Sequence, residues 1–262
     1  MQTSDWSARS VPRVDDRFDA LIAEAEAADV TGWDFSWLDG RATEQRPSWG
    51  YQRLLAARLA EVESALELQT GGGEFLGGIE TYPPTMVATE GWPPNLARAR
   101  ARLEPRGVTV LPQSDDPPLP FAPDTFDLVS SRHPVEVWWD EIARVLRPGG
   151  TYLAQHIGRR CNADLYEFFL GPTPPGPPDD RELAAVAAAG LDVVDVRDER
   201  TRVEFFDVGA VVYFLRKVIW TVPDFTVERY EPHLHRMHEL IERDGAFVSY
   251  STRRLIEARK PA

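Results

Sequence analysis

Gly71, Gly72 and Gly73 follow a short apolar run, ALELQT at residues 65–70, and mark a turn that no side chain could share. Glycine loses more backbone entropy on ordering than any other residue, so three together call for a physical reason. A glycine-rich turn between a strand and a helix lets a nucleotide-bearing ligand pack directly on the backbone. The dinucleotide spacing Gly-x-Gly-x-x-Gly, begun at Gly71, needs Gly or Ala at position 76, where Leu76 stands. Counted from Glu67, the spacing is acidic-x-Gln-x-Gly-x-Gly through Gln69, Gly71 and Gly73. A second group of chemically able residues is His233, His235 and His238, at spacings of two and three in a helical stretch. A three-histidine metal site is imaginable there, but a solvated amphipathic face is the expectation, and no metal is expected.

The glycine turn resembles motif I of the class I S-adenosylmethionine-dependent methyltransferases, Asp/Glu-x-Gly-x-Gly-x-Gly, and the resemblance extends over residues 65–155. VATEG ends a second strand in Glu90, 23 residues after Glu67. QSDDPPLPFAPDTFDLV, residues 113–129, is similar to the family's Asp-x-x-x-Leu-Pro-Phe…Phe-Asp-x-Val segment, and EIARVLRPGG, residues 141–150, to its Glu-x-x-Arg-Val-Leu-x-Pro-Gly-Gly. The resemblance implies S-adenosylmethionine as cofactor, held by Glu67, Gly71, Gly73, Glu90, Trp92, Asp115, Asp116 and Ser131. Glu90 takes the ribose hydroxyls, a task suited to a carboxylate with acceptor oxygens and no competing donor. Asp115 receives the adenine amino group, or Asp116 in its place, and Trp92 flanks the ring. Gln69 stands where the family has glycine, and fits if its backbone angles are ordinary. The implied reaction is an in-line attack on a sulfonium methyl, with a neutral thioether leaving, so positioning supplies most of the catalysis. An acceptor hydroxyl or amine must also lose a proton. His133, in SSRHP after the fourth strand, is the expected general base, with His156 as the second choice.

These residues need a scaffold, and its pattern is legible. Strand-like segments ALELQT, MVATEG, VTVLPQ, FDLVSS and TYLAQHI alternate with helical stretches from Ser64 onward. That alternation predicts an α/β fold, a Rossmann-like, seven-stranded, mostly parallel sheet with helices on both faces. Residues 1–60 read as a helical N-terminal lid, and 61–262 as the cofactor-binding domain with a substrate-covering insertion near 205–245. GPTPPGPPDD, residues 171–180, is a rigid connector. Trp33, Trp37 and Trp49 either cover a ligand or pin an aperiodic loop to the core.

The chain has 262 residues, 43% of them hydrophobic, enough for one sizeable domain. A formal net charge of −13 argues against a nucleic-acid partner, whose phosphates need clustered Lys and Arg. The single cysteine, Cys161, precludes an internal disulfide and fits a reducing cytoplasm. No apolar stretch approaches the roughly 20 residues of a membrane span. The expectation is a cytoplasmic enzyme methylating a small molecule at O, N or C, without nucleic-acid or membrane partners. An RNA or protein methyltransferase, or a non-catalytic cofactor-binding protein, is the alternative.

Overall fold

The computed structural model describes residues 14–114, 116–174, 176 and 180–262. Along the chain run α1 (Val14–Ala27), β1 (Ala42–Glu44), α2 (Tyr51–Leu59), β2 (Ser64–Leu68), α3 (Glu74–Gly77) and β3 (Thr85–Glu90). Next come α4 (Pro93–Leu103), β4 (Thr109–Pro112), β5 (Phe126–Arg132), α5 (Trp139–Val145), β6 (Leu146–Ile157) and α6 (Ala163–Leu170). The chain closes with α7 (Asp180–Ala188), β7 (Asp192–Phe205), α8 (Val208–Lys217), α9 (Val227–Asp244) and β8 (Phe247–Arg259).

The strands form one sheet in the order β1-β7-β8-β6-β5-β2-β3-β4. Those from β6 to β4 pair in parallel, and β8 runs antiparallel beside β6. The sheet therefore has eight strands among the described residues, not seven. The extra one is β1, three residues inside the aromatic stretch that lacks any period in the sequence. From β2 the chain builds outward through β3 and β4, then returns to lay β5 on the other side of β2. Strand order thus reverses between β2 and β5, the place where open α/β sheets bind ligands.

The chain divides into two compact units. One comprises residues 44–163, 173–202 and 250–262 and contains the central strands. All five residues of β2 are buried, as expected for a parallel strand covered on both faces. Ala65 joins one core layer with Leu55, Leu76, Ala99 and Leu103, while Leu66 and Leu68 join the opposite layer with Ile142 and Val186. The second unit gathers residues 14–43, 164–172 and 203–249 around Phe18, Phe169, Val211 and Leu234. Its boundary lies at Thr43, so α2 groups with the sheet rather than with the N-terminal segment.

Within the second unit, Asp207 caps α8 by accepting the Ala210 N–H at 2.8 Å. Arg41 grips the same carboxylate with two bonds, at 2.9 and 2.8 Å. The three histidines of α9 are not a solvated face. His235 stacks on Phe18 at 3.8 Å, and His238 is buried with no hydrogen-bond partner on either ring nitrogen. Among the described residues no group of three His, Cys, Asp or Glu side chains could hold a metal ion, and no helix is long and apolar enough to cross a membrane.

Candidate functional site

β2 ends at Leu68, and the next turn supplies the physical reason for the glycines. Gly71 has φ +64°, and a Cβ built on it meets nothing within 4 Å. Gly73 has φ +74°, but a Cβ there would lie 2.9 Å from Leu103 Cδ1 and 3.3 Å from Ala99 Cα of α4. Gly73 therefore admits the helix, and Gly71 leaves an open backbone surface. Between β2 and that surface, Thr70 Oγ1 is buried without a hydrogen-bond partner. Gln69 adopts φ +54°, the left-handed region, so its backbone angles are not ordinary. The turn keeps the path a glycine would give it, with a side chain added.

Glu90 ends β3 beside this turn and is 8% exposed. Its carboxylate accepts the Gly71 N–H at 2.7 Å on one oxygen and the Trp92 N–H at 2.9 Å on the other. Each oxygen retains a lone pair, so two hydroxyl donors can still be received. Trp92 is 42% exposed, an apolar ring left at the surface next to that carboxylate. Asp116 is exposed, with its carbonyl accepting Gln113 Nε2–H at 2.9 Å. Asp115 lies outside the described residues.

Glu67 occupies a different environment from its expected neighbours. It is 2% exposed and accepts a hydrogen bond from Ser130 Oγ. Burial pushes its carboxyl up to about 7, against smaller opposing effects of Ser130 and the Arg132 charge. Enclosed in this way, it ties β2 to β5 through Ser130. Ser131 is buried too, with Oγ 2.7 Å from the Tyr152 hydroxyl.

His133 comes directly after β5, with φ +56°. Its N–H donates to the Gln155 carbonyl at 2.8 Å, and its ring Nε2 lies 3.1 Å from Gln155 Nε2. The Gln155 oxygen accepts the Trp49 indole N–H at 2.9 Å, which orients the amide so that its NH₂ faces the histidine. His133 Nε2 must then accept, and the ring proton is assigned to Nδ1. Burial, followed by the charges of Arg132 and Arg253, lowers this imidazole to about 2. Its basic nitrogen is occupied and its cation strongly disfavoured, so the ring is suited to donating a hydrogen bond rather than to taking up a proton.

His156, the other expected base, sits in a buried chain of polar groups. Its Nε2 lies 3.0 Å from the Tyr152 hydroxyl and its Nδ1 2.5 Å from Glu182 Oε1. Glu182 also accepts from Arg254 at 2.9 Å. Burial pushes the Glu182 carboxyl up, but His156 and Arg254 outweigh it and hold it below the usual range. Ser131, Tyr152, His156 and Glu182 thus form a continuous path from the end of β5 to α7. Sequence reasoning missed Thr70, Gln155 and Glu182, and named Trp49 only as a loop residue covering a ligand or pinned to the core, where it lies. Only Gln69 carried a signal, as the one non-glycine at a motif glycine.

Residues 66–154 match the family model described as "Methyltransferase domain". No curated protein sequence matches the chain. Among solved structures, the chain is similar to the YcgJ protein of Bacillus subtilis, at 15% identity and a TM-score of 0.58, over 81% of this chain and 98% of that one. It is also similar to a protein of Bacillus halodurans C-125 provisionally assigned as a methyltransferase. There the identity is 19% and the TM-score 0.55, over 79% of this chain and 99% of that one. Residues 66–154 thus resemble a methyltransferase domain and hold the order-reversing strands and the Glu90-bound glycine turn, and the two solved structures share the fold.

Proposed function

We propose that the protein uses S-adenosylmethionine to methylate a small-molecule acceptor. The observation that carries this reading is the Glu90 carboxylate, fixed by the Gly71 and Trp92 N–H groups beside the open backbone of Gly71. The residues present fit the cofactor. Glu90 has acceptor capacity left for two ribose hydroxyls, Gly71 admits close approach, and Thr70 Oγ1 lacks a partner that a ligand could supply. Trp92 and Asp116 (with Asp115) would bound the adenine side. Gly73 and Glu67 would hold the turn, and Ser131 would stand at the reacting end.

When bound, the cofactor supplies a methyl group on a sulfonium whose departure as a thioether needs no oxyanion hole. The chain's own task is to hold an acceptor in line with that methyl and to accommodate a proton. His133, with Nδ1–H as donor, would orient the acceptor. A proton received at Ser131 Oγ could pass through Tyr152 toward His156 Nε2, whose Nδ1 faces Glu182. The net charge of −13 favours a small molecule over RNA.

Thermal shift with S-adenosylhomocysteine tests the reading. At 100-fold excess over the dissociation constant, linkage gives about 2.7 kcal/mol of stabilisation. A flat response at millimolar ligand, with NAD raising the melting temperature instead, overturns it.

A further inference from the structure

We infer that Gln69 is a positioning residue that clamps the segment after β5 onto the glycine turn, and so shapes the part of the crevice that receives the cofactor's amino-acid portion. The inference rests on the methyl-donor reading above. Its physical basis is a two-point contact. Gln69 Nε2–H donates to the Glu136 carbonyl at 2.7 Å, and Gln69 Oε1 accepts the Val135 N–H at 2.7 Å. Both ends of one amide are used, on successive residues of a segment more than sixty positions away in the chain.

The clamp spans the place where strand order reverses. Leu68 at the end of β2 pairs with Ser131 near the end of β5, and the amide ties the connection leaving β2 to the connection leaving β5. Both connections pass through non-glycine residues in the left-handed region, Gln69 at φ +54° and His133 at φ +56°. A glycine at position 69 would take this angle without penalty. Glutamine holds it against a backbone cost, as side chains do where the surrounding contacts over-determine the conformation. The two amide bonds are those contacts.

The location is dictated by the linear shape of the ligand. Glu90, on the β3 side of β2, would receive the ribose. With Asp116, after β4, bounding the base as proposed above, the sulfur and amino-acid portion would extend across β2 toward β5. That is the boundary the clamp spans. The segment it fixes begins at His133, so the same amide also sets where that ring stands.

Two variants keep the turn and remove the clamp. Gln69→Gly accepts the angle freely, and Gln69→Asn tolerates it but is one methylene too short for both bonds. Calorimetry should compare S-adenosylhomocysteine with 5′-methylthioadenosine, which has the same adenosine thioether but no amino-acid portion. Both variants should weaken S-adenosylhomocysteine about tenfold or more while leaving 5′-methylthioadenosine within about twofold, a split that general loosening of the fold would not produce. Equal losses for the two ligands, or no loss for either, overturn the role of Gln69. Failure of the wild-type protein to bind either ligand would instead overturn the methyl-donor reading, and the positioning role with it.

Discussion

The Glu90 carboxylate and the Gly71 N–H meet at 2.7 Å, joining the end of β3 to the turn after β2. The same group that would take the ribose therefore also holds the backbone on which the cofactor would lie. Glu90→Gln retains one acceptor oxygen and should weaken S-adenosylhomocysteine modestly. Glu90→Ala removes both, each hydrogen bond to a charged group being worth about 1.5–3 kcal/mol, and should weaken it by roughly 10²–10⁴-fold. Unchanged affinity in the alanine variant, by calorimetry, would show that this carboxylate is not the ribose acceptor.

Gly71 and Gly73 separate binding from stability. Gly73→Ala drives a methyl against Leu103 and Ala99 at a left-handed angle and should cost about 2–4 kcal/mol in chemical denaturation. Gly71→Ala meets no protein atom within 4 Å, so only the angle resists it, at about 1 kcal/mol. Its methyl projects into the open surface, and the loss should appear in ligand affinity. Full affinity in folded Gly71→Ala would mean that no ligand packs on this backbone.

His133 should remain neutral with its proton on Nδ1. Its cation is disfavoured down to about pH 2, far below the ordinary 6.5 of an unfolded histidine. Below pH 6.5 the unfolded chain therefore binds a proton that the folded chain refuses, so this residue's contribution to stability is lost as pH falls. His238, lowered by burial in the other unit, acts in the same direction. Nitrogen-15 NMR should find no His133 titration between pH 5 and 8. An ordinary titration near 6.5 would return it to the role of general base.

Glu67 has the opposite sign. Its folded carboxyl is raised to about 7 from 4.5, so the folded state prefers the protonated form. The stability this contributes is full below pH 4.5 and is lost as pH rises through 7, a change on the order of 3 kcal/mol. Glu67→Gln keeps an acceptor for Ser130 without a buried charge. It should melt higher than wild type at pH 8 and close to it at pH 4.5. A difference independent of pH would show that the carboxyl ionises freely.

The range of the interactions separates the features legible in the sequence from those hidden there. The glycine turn, Glu90 and the parallel sheet were readable because each is encoded in a few adjacent residues or in a regular alternation. The partners of Gln69 and His133 were not. Val135, Glu136 and Gln155 become their neighbours only when β5 is laid beside β2 and β6, and no local pattern records that. β1 escaped for the same reason. Three residues have too short a period to detect, and the strand exists because β7 lies alongside, with Gln45 N–H donating to the Arg202 carbonyl at 2.9 Å. His238 carried a helical spacing that could not say which face was covered.

Gly73 lacks a side chain because Leu103 fills that position, so the far wall of the proposed cofactor turn is a piece of the protein's interior. No hinge or gap separates recognition from the core on that side. Warming that loosens α4 must deform the turn in the same event, and capture of ligand should fade together with the cooperative melting of the sheet unit. Nor can the turn drift independently over evolutionary time. A smaller residue at 103 would not release position 73, because the left-handed angle and the Ala99 backbone still require glycine there.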